Sequence, residues 1–177
     1  MHDIVAAVCA VDSTTPVVVI DGRSGAGKST IARRLAESWP QENPVQLVAL
    51  DSIYPGWDGL AEGGRLALQN VLAPHSRREV GTWRRWDWES GVEAEAHVVD
   101  PASGLIVEGC GALTPASAEI ADVCVWVDGP AQSRRRRALE RDGDAFRPHW
   151  ERWAAQEEAH IRAHDPVSLA SVVVTVP

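Results

Sequence analysis

The sequence predicts an α/β domain built on a parallel five-stranded sheet, with a phosphate-binding loop at the sheet's ligand edge. Three observations carry that reading. Short apolar runs rich in β-branched residues alternate with stretches of helical period along the 177 residues, the pattern that strand–helix–strand crossovers produce. The runs are continuously apolar instead of alternating, as in strands buried on both faces. Between the first run and the helix after it, Gly22-Arg23-Ser24-Gly25-Ala26-Gly27-Lys28-Ser29 fills every fixed position of GxxxxGK[ST], the spacing that cradles phosphate.

In chain order, a leading helix is expected over residues 3–10. Strands are expected over 17–20, 45–50, 105–107, 123–127 and 172–176, each dominated by Val, Ile or Leu. Helices are expected over 28–38, 60–72, 115–121, 131–141 and 148–163. Residues 82–99 are rich in tryptophan and charge and keep neither period; they are expected to lie over the ligand side of the sheet. There is no internal repeat, and the Gly/Pro-rich stretch 55–64 is only loop-sized, so residues 1–177 read as one domain.

A hydrophobic share of 45% and a charged share of 24% describe a soluble protein with a real core. The net charge of −8 repels a polyanion, and basic residues concentrate only at 134–137, so nucleic acid is not an expected partner. The three cysteines have no CxxC spacing, which suits a reducing compartment and small buried residues. The apolar start at 4–11 is broken by Asp12 and lacks a basic leader, and no later run approaches the ~20 residues that cross a bilayer. A cytoplasmic protein with no membrane partner is the expectation.

Arginine outnumbers lysine 16 to 1, and the one lysine, Lys28, falls where a phosphate loop requires an ammonium. In such a loop Gly22, Gly25 and Gly27 let successive N–H groups, those of Ser24 and Ala26 included, curl around the β-phosphate of ATP. The following helix points its positive end at the same anion. Lys28 would bridge the β- and γ-phosphates, Ser29 would place its hydroxyl on Mg²⁺, and Thr30 would support the turn. The competing reading is a chance glycine-rich turn. The loop alone does not choose a reaction, but there is no NKxD guanine motif, no LSGGQ-type signature, and no strand ending in paired acidic residues.

Two carboxylates end apolar runs at the ligand edge. Asp51 could accept the proton of an attacking hydroxyl or hold Mg²⁺ through water, or simply cap a turn. Glu108, before Gly109, could be a water-mediated Mg²⁺ ligand, and a buried glutamate there asks for a cation nearby; the alternative is a solvated strand end. Arg134, Arg137 and Arg141 share one helical face, suited to clamping phosphate from a mobile lid over roughly 134–150. Asp142-Gly143-Asp144 is the breaker that would hinge it. A solvated basic face is the plainer reading of those arginines.

Taken together, Asp21 to Thr30, Asp51-Ser52-Ile53-Tyr54, Trp86-Asp87, Val107-Glu108-Gly109, Val127-Asp128, Arg134-x-x-Arg137 and Arg141-Asp142 make the chain resemble the uridine kinase-like branch of small P-loop kinases. The resemblance covers most of the chain, although only the loop is individually specific. It implies the P-loop fold with strand order 2-3-1-4-5, ATP as donor, an aspartate at the position of Asp51 acting on the acceptor hydroxyl, and Arg137 and Arg141 as lid arginines. It also implies that Tyr54, Asp58 and the segment 84–88, with Arg84, Trp86 and Asp87, border the acceptor pocket together with Glu108. The chain is shorter than a typical member, and Trp83, Arg84, Arg85, Trp86, Asp87 and Trp88 stand where those enzymes carry a longer nucleoside-binding hairpin. The tryptophans could stack a base or fill the core.

Trp150 and Trp153 read as a packing face, and His160 with His164 has helical metal-pair spacing but no third ligand beyond Asp165. Cys110 is a space-filler or, beside a cation, a reactive thiol. The leading expectation is phosphorylation of a small hydroxylated metabolite, a nucleoside or nucleotide, by ATP. A sugar, cofactor precursor or antibiotic kinase is an alternative acceptor class, and a nucleotide-dependent switch with slow hydrolysis is an alternative activity. Phosphorylation of nucleic-acid ends conflicts with the net charge.

Overall fold

A computed structural model describes all 177 residues. β1 (Val17–Gly22) enters the phosphate loop and α2 (Lys28–Glu37) leaves it. The sheet is completed by β2 (Val45–Ala49), β5 (Gly104–Glu108), β6 (Val123–Asp128) and β7 (Val172–Thr175). All pairings are parallel and the order is β2-β5-β1-β6-β7. Counting only the strands of this sheet along the chain, that is the expected 2-3-1-4-5. Inner strands β1 and β5 are buried at every residue, whereas the edge strands β2 and β7 are partly exposed. Burial on both faces therefore describes the inner strands and not the edges, where one side of the backbone has no neighbour.

Each face of the sheet carries its own core. On one face, α1 (His2–Cys9) and α2 bring Ile4, Val8, Ile31 and Leu35 against Val18 and Ile20. On the other, α3 (Leu60–Ala67), the turn that follows it and α7 (Trp150–His164) cover Val19 and Val107 with Leu60, Leu72 and Trp153. Since α1 turns only Ile4 and Val8 inward, Cys9 is exposed; the expectation of three buried cysteines holds for Cys110 and Cys124 alone.

α3 runs through a π turn at Leu68–Leu72 into α4 (Ala73–Ser76), where Pro74 has no N–H to give the carbonyl four residues back. α5 (Pro115–Ala118) starts on a capping box made by Thr114 and Ser117. α6 (Ala131–Phe146) extends past the expected end at Arg141, and Gly143 sits inside it at φ 56°, ψ −133°. Those angles are not helical, so the Asp142-Gly143-Asp144 breaker interrupts the helix as expected, and a short second segment runs on to Phe146. A 3-10 turn at Arg147–His149 then leads into α7, and α8 (Pro166–Leu169) connects to β7.

Residues 82–99, which keep neither period, form an antiparallel hairpin of β3 (Gly81–Asp87) and β4 (Val92–Val99). An irregularity between Arg84 and Trp86 slips the alternation of side chains, which is why a period of two is hard to see in the sequence. Cross-strand pairs hold it: Trp83 stacks on His97 at 4.4 Å, and Arg85 pairs with Glu95 at 2.7 Å.

The end of β1 is fixed by one buried carboxylate. Asp21 accepts from the N–H groups of Gly22 (2.6 Å), Gly111 (3.0 Å) and Leu113 (2.9 Å), and His160 Nε2 lies 3.0 Å from its other face. These bonds tie the loop strand to the segment after β5. Asp21→Ala leaves three amides without an acceptor in a site that excludes water, so a loss of about 3 kcal/mol or more in unfolding free energy is expected from urea denaturation. A loss below about 0.5 kcal/mol would show that the amides find other partners.

Candidate active site

The loop between β1 and α2 is shaped by glycine. Gly25 and Gly27 adopt φ of +73° and +104°, values that side chains disfavour. A Cβ on Gly25 would stand 2.0 Å from the Arg134 carbonyl oxygen, because the first turn of α6 rests directly on the loop. Arg134 Nη1 donates to the Ser24 carbonyl at 3.3 Å and its Nε to the Gly129 carbonyl at 3.0 Å, while Arg137 Nε donates to the Gly25 carbonyl at 2.8 Å. The expected shared face exists and points at the loop. Two of its three arginines grip loop carbonyls, however, and only Arg141 reaches the open cleft. Burial lowers the Arg134 pKa from its ordinary value, with Glu157 acting against that.

Lys28 is buried at the start of α2, where its Nζ donates to the Arg23 carbonyl and to Cys110 Sγ, both at 3.2 Å. Burial alone would lower its pKa, yet Cys110, Glu108, Glu157 and Asp51 together carry it above the ordinary lysine value. Burial also pushes the Cys110 thiol up to about 12. The thiol is therefore neutral near pH 7, and the working counter-charges of the ammonium are the three carboxylates. Cys110 donates onward to Glu157 Oε1 at 3.3 Å, and the same oxygen accepts the Ser24 N–H at 2.7 Å.

Glu108 ends β5 and is buried, so the solvated reading of that strand end does not hold. Burial holds its carboxyl above the usual range, Asp51 pushes the same way, and Lys28 acts against both. Ser29 is a polar neighbour of Glu108, which brings two hard oxygen donors together at the loop. Asp51 follows β2 in a 3-10 turn, with its carboxylate in the cleft 3.9 Å from Arg141 Nη2. No cluster of three or more His, Cys, Asp or Glu side chains makes a closed metal cage. The oxygen donors fit Mg²⁺ of the kind that takes most of its ligands from phosphate and water. The His160 and His164 rings are 5.1 Å apart, but His160 faces Asp21 in the fold.

Beside the loop opens a cavity of about 600 Å³. Its polar lining is Ser24, Asp51, Arg141 and Asp142, and its apolar lining includes Trp57, Trp88, Phe146 and Trp153 with Tyr54. Tyr54 is fully buried, donates to the Cys110 carbonyl at 2.8 Å and meets Trp153 edge-on at 4.8 Å. Burial raises its pKa well above 10, so the phenol remains a donor. Trp88 Nε1 donates to the Asp51 carbonyl at 2.8 Å, tying the hairpin to the strand carrying that carboxylate. Asp58, Arg84, Trp86 and Asp87 are not in the cavity wall. Asp58 is paired with Arg152, Arg84 donates to the Ala94 carbonyl, Trp86 lies against Gly56, and Asp87 caps the hairpin turn through the Glu89 N–H.

Several residues of the site escaped the sequence. Trp153, Glu157 and His160 recur at helical spacing along α7 and turn one buried face toward the loop and Asp21. Two polar residues within an otherwise packing stripe were the available signal. Trp57 lay in a stretch legible only as loop, and Phe146 lies beyond the expected end of its helix.

No family model matches the sequence. It is 30% identical over 138 residues to the uridine kinase of Alkaliphilus metalliredigens strain QYMF, covering 70% of this chain and 66% of that protein. Over that stretch the chain is similar to a uridine kinase, and its sheet has the P-loop kinase order. The aligned part is slightly under two thirds of that relative's length. Among solved structures, a protein from Bacillus stearothermophilus described as a possible uridine kinase superposes with a TM-score of 0.70 at 16% identity, over 98% of this chain and 96% of that one. A protein from Silicibacter sp. TM1040 described as a fructose transport system kinase gives 0.59 at 19% identity, over 99% and 96%. At such identities the structural likeness is one of fold. No helix of the chain is long and apolar enough to cross a membrane.

Two outcomes follow from the electrostatics of the site. With Cys9 exposed and Cys110 both buried and raised to about 12, iodoacetamide near neutral pH should modify Cys9 in the native protein and reach Cys110 and Cys124 only after denaturation. Rapid native modification of Cys110, read by mass spectrometry, would contradict its burial. Glu108 has a raised folded pKa, so its stabilising contribution is complete below the ordinary 4.5 and is lost as pH rises through the folded value. In urea melts between about pH 4 and 7, the stability of the wild type minus that of Glu108→Gln should fall as pH rises; a flat difference would contradict it.

Proposed function

We propose that the chain transfers the γ-phosphoryl group of ATP to a hydroxyl of a small molecule seated in the cavity. The observation that carries this is the junction of loop and cavity: Ser24 of the phosphate loop, the Asp51 carboxylate and the Arg141 guanidinium all line the same space. A nucleotide switch needs the loop but neither a carboxylate nor an aromatic-lined cavity beside it.

In the proposed step the acceptor oxygen attacks the γ-phosphorus in line, and a new P–O bond forms as the bond to the bridging oxygen of the β-phosphate breaks. The acceptor proton passes to Asp51, and ADP leaves. Lys28 neutralises the β- and γ-phosphate oxygens from inside the loop, and the N–H groups around Gly25 and Gly27 hold the β-phosphate. Arg141 meets charge developing on the transferred group. Arg134 and Arg137 act one step back, by holding the carbonyls of Ser24 and Gly25 and with them the shape of the loop; the N–H groups of Ser24 and Ala26, expected at the phosphate, are taken by Glu157 and the Arg23 carbonyl. Mg²⁺, held through Ser29 with Glu108 and Asp51 behind its water ligands, would supply additional neutralisation of the phosphates.

A nucleoside as acceptor is a second reading, favoured by the 30% identity to a uridine kinase. Acceptor-dependent release of ADP from ATP, followed in a coupled assay, tests the activity. Asp51→Asn should lower kcat by about 10²- to 10⁴-fold, as loss of a general base does, with ATP affinity nearly unchanged. If the variant lost ATP binding but kept turnover per bound ATP, Asp51 would be a structural or nucleotide-binding residue and not the base.

A further inference from the structure

Resting on the phosphotransfer reading, we infer that the acceptor is an alcohol carried on a flat apolar body, of the aryl-alcohol class, and not a nucleoside recognised through its base edge. The inference comes from the aromatic wall that the cavity offers beside Asp51. Trp57 is the centre of that wall. It stacks on Phe146 (5.5 Å, 12° between planes) and on His149 (4.3 Å, 12°), meets Trp88 at 4.7 Å with a tilt of 51°, and stands perpendicular to Trp153 (89°). Rings locked against one another in this way present fixed faces, to which a planar group binds with little ordering cost.

Most groups that could read a nucleobase are committed elsewhere, and the uncommitted side-chain groups of the aromatic wall, the Trp57 and Trp153 N–H, are donors only. A pyrimidine edge presents donors and acceptors in one plane, so a site that recognises it needs both kinds of partner aimed at it. Trp57, Trp88, Phe146 and Trp153 have no acceptor atom. The Tyr54 oxygen is closed against the Cys110 carbonyl, and the Trp88 N–H is spent on the Asp51 carbonyl. Both Asp142 oxygens take Arg141 N–H groups at 2.7 Å. Behind the wall, Gln156 gives its N–H to the Trp57 carbonyl and takes the Leu60 N–H, so the neighbouring amide side chain is also fully used. Nearby charges are equally engaged, Asp58 with Arg152 and Arg84 with the hairpin. A base N–H held against this wall would find no side-chain acceptor in exchange for its water. An apolar ring loses nothing on entry and gains the aromatic faces.

The geometry also orients such a molecule. Asp51 and Arg141 mark where phosphate arrives, so the hydroxyl must point there while the ring lies against the wall that Trp57 and Trp88 form together. The transfer is the one already described: the alcohol oxygen gains the phosphoryl group, its proton goes to Asp51, and ADP departs. An aryl alcohol enters and its phosphate monoester leaves.

The test uses the full chain with 2-(2-naphthyl)ethanol and uridine as probes. Binding without nucleotide is followed by tryptophan fluorescence and calorimetry, and turnover by ADP release with Mg²⁺-ATP. The naphthyl alcohol should bind at least about tenfold more tightly than uridine and show the higher kcat/KM. Trp57→Ala should weaken its binding by about two- to tenfold, the effect of one lost aromatic contact, and Trp57→Phe should restore most of it. Trp88→Ala, at an exposed hairpin position that leaves the core closed, should weaken it by a similar factor and guards against a Trp57 variant that fails to fold. Tighter binding and faster turnover of uridine, or naphthyl binding indifferent to both tryptophans, would overturn the inference while leaving phosphotransfer intact. Tryptophan-dependent naphthyl binding with no ADP release from any acceptor would instead overturn phosphotransfer and uphold the ligand class.

Discussion

One buried ammonium dictates how this site is built. Taking an unpaired charge out of water costs several kcal/mol, enough to erase much of a domain's stability. Lys28 nonetheless sits inside the loop with the Arg23 carbonyl and Cys110 Sγ as its direct partners. Glu108 from β5, Glu157 from α7 and Asp51 after β2 supply the field that keeps it charged. Three separate elements must therefore converge on one nitrogen. Glu157 does so while also holding the Ser24 N–H, so loop shape and charge balance depend on the same carboxylate. A polyphosphate entering the loop would meet an ammonium already ionised and already placed, which is preorganisation in the sense that matters for catalysis.

The same economy of placement governs α6. Gly25 has no Cβ, and that space is what lets the helix carbonyl of Arg134 approach the loop. Arg134 and Arg137 then become part of the loop's support, leaving Arg141 as the member of the row that meets solvent and ligand. The backbone break at Gly143 comes two residues later. Beyond it, Phe146 and His149 turn back onto Trp57, so the kinked segment forms one wall of the cavity. Loop and cavity are thus joined by one stretch of chain: the helix before Gly143 holds the loop, and the segment beyond it lines the cavity.

How much of this was legible follows from how local each signal is. Inner strands announce themselves through unbroken runs of Val, Ile and Leu, and the phosphate loop through fixed glycines and a lysine, because both are dictated within a few residues. Asp51 and Glu108 could be picked out since strand ends at the ligand edge are predictable once the strands are known. The hairpin was not legible, because the irregularity at Arg84 to Trp86 destroys the alternation that would reveal it. Glu157 and His160 were hidden for a different reason: their partners, Ser24 and Asp21, lie more than a hundred residues away along the chain. Of the expected segment 84–88, the fold brings Trp88 to the cavity wall and leaves Arg84, Trp86 and Asp87 out of it, and it adds Trp57, which no local pattern marks.

Transfer of label from γ-phosphate-labelled ATP is the most direct measurement of the central claim. With an acceptor present, the label should appear in an organic phosphate monoester, at a rate that rises with acceptor concentration and collapses in Asp51→Asn. Label recovered solely as inorganic phosphate, at the same rate with and without any acceptor, would contradict it and make the cavity a binding site beside a slow hydrolase.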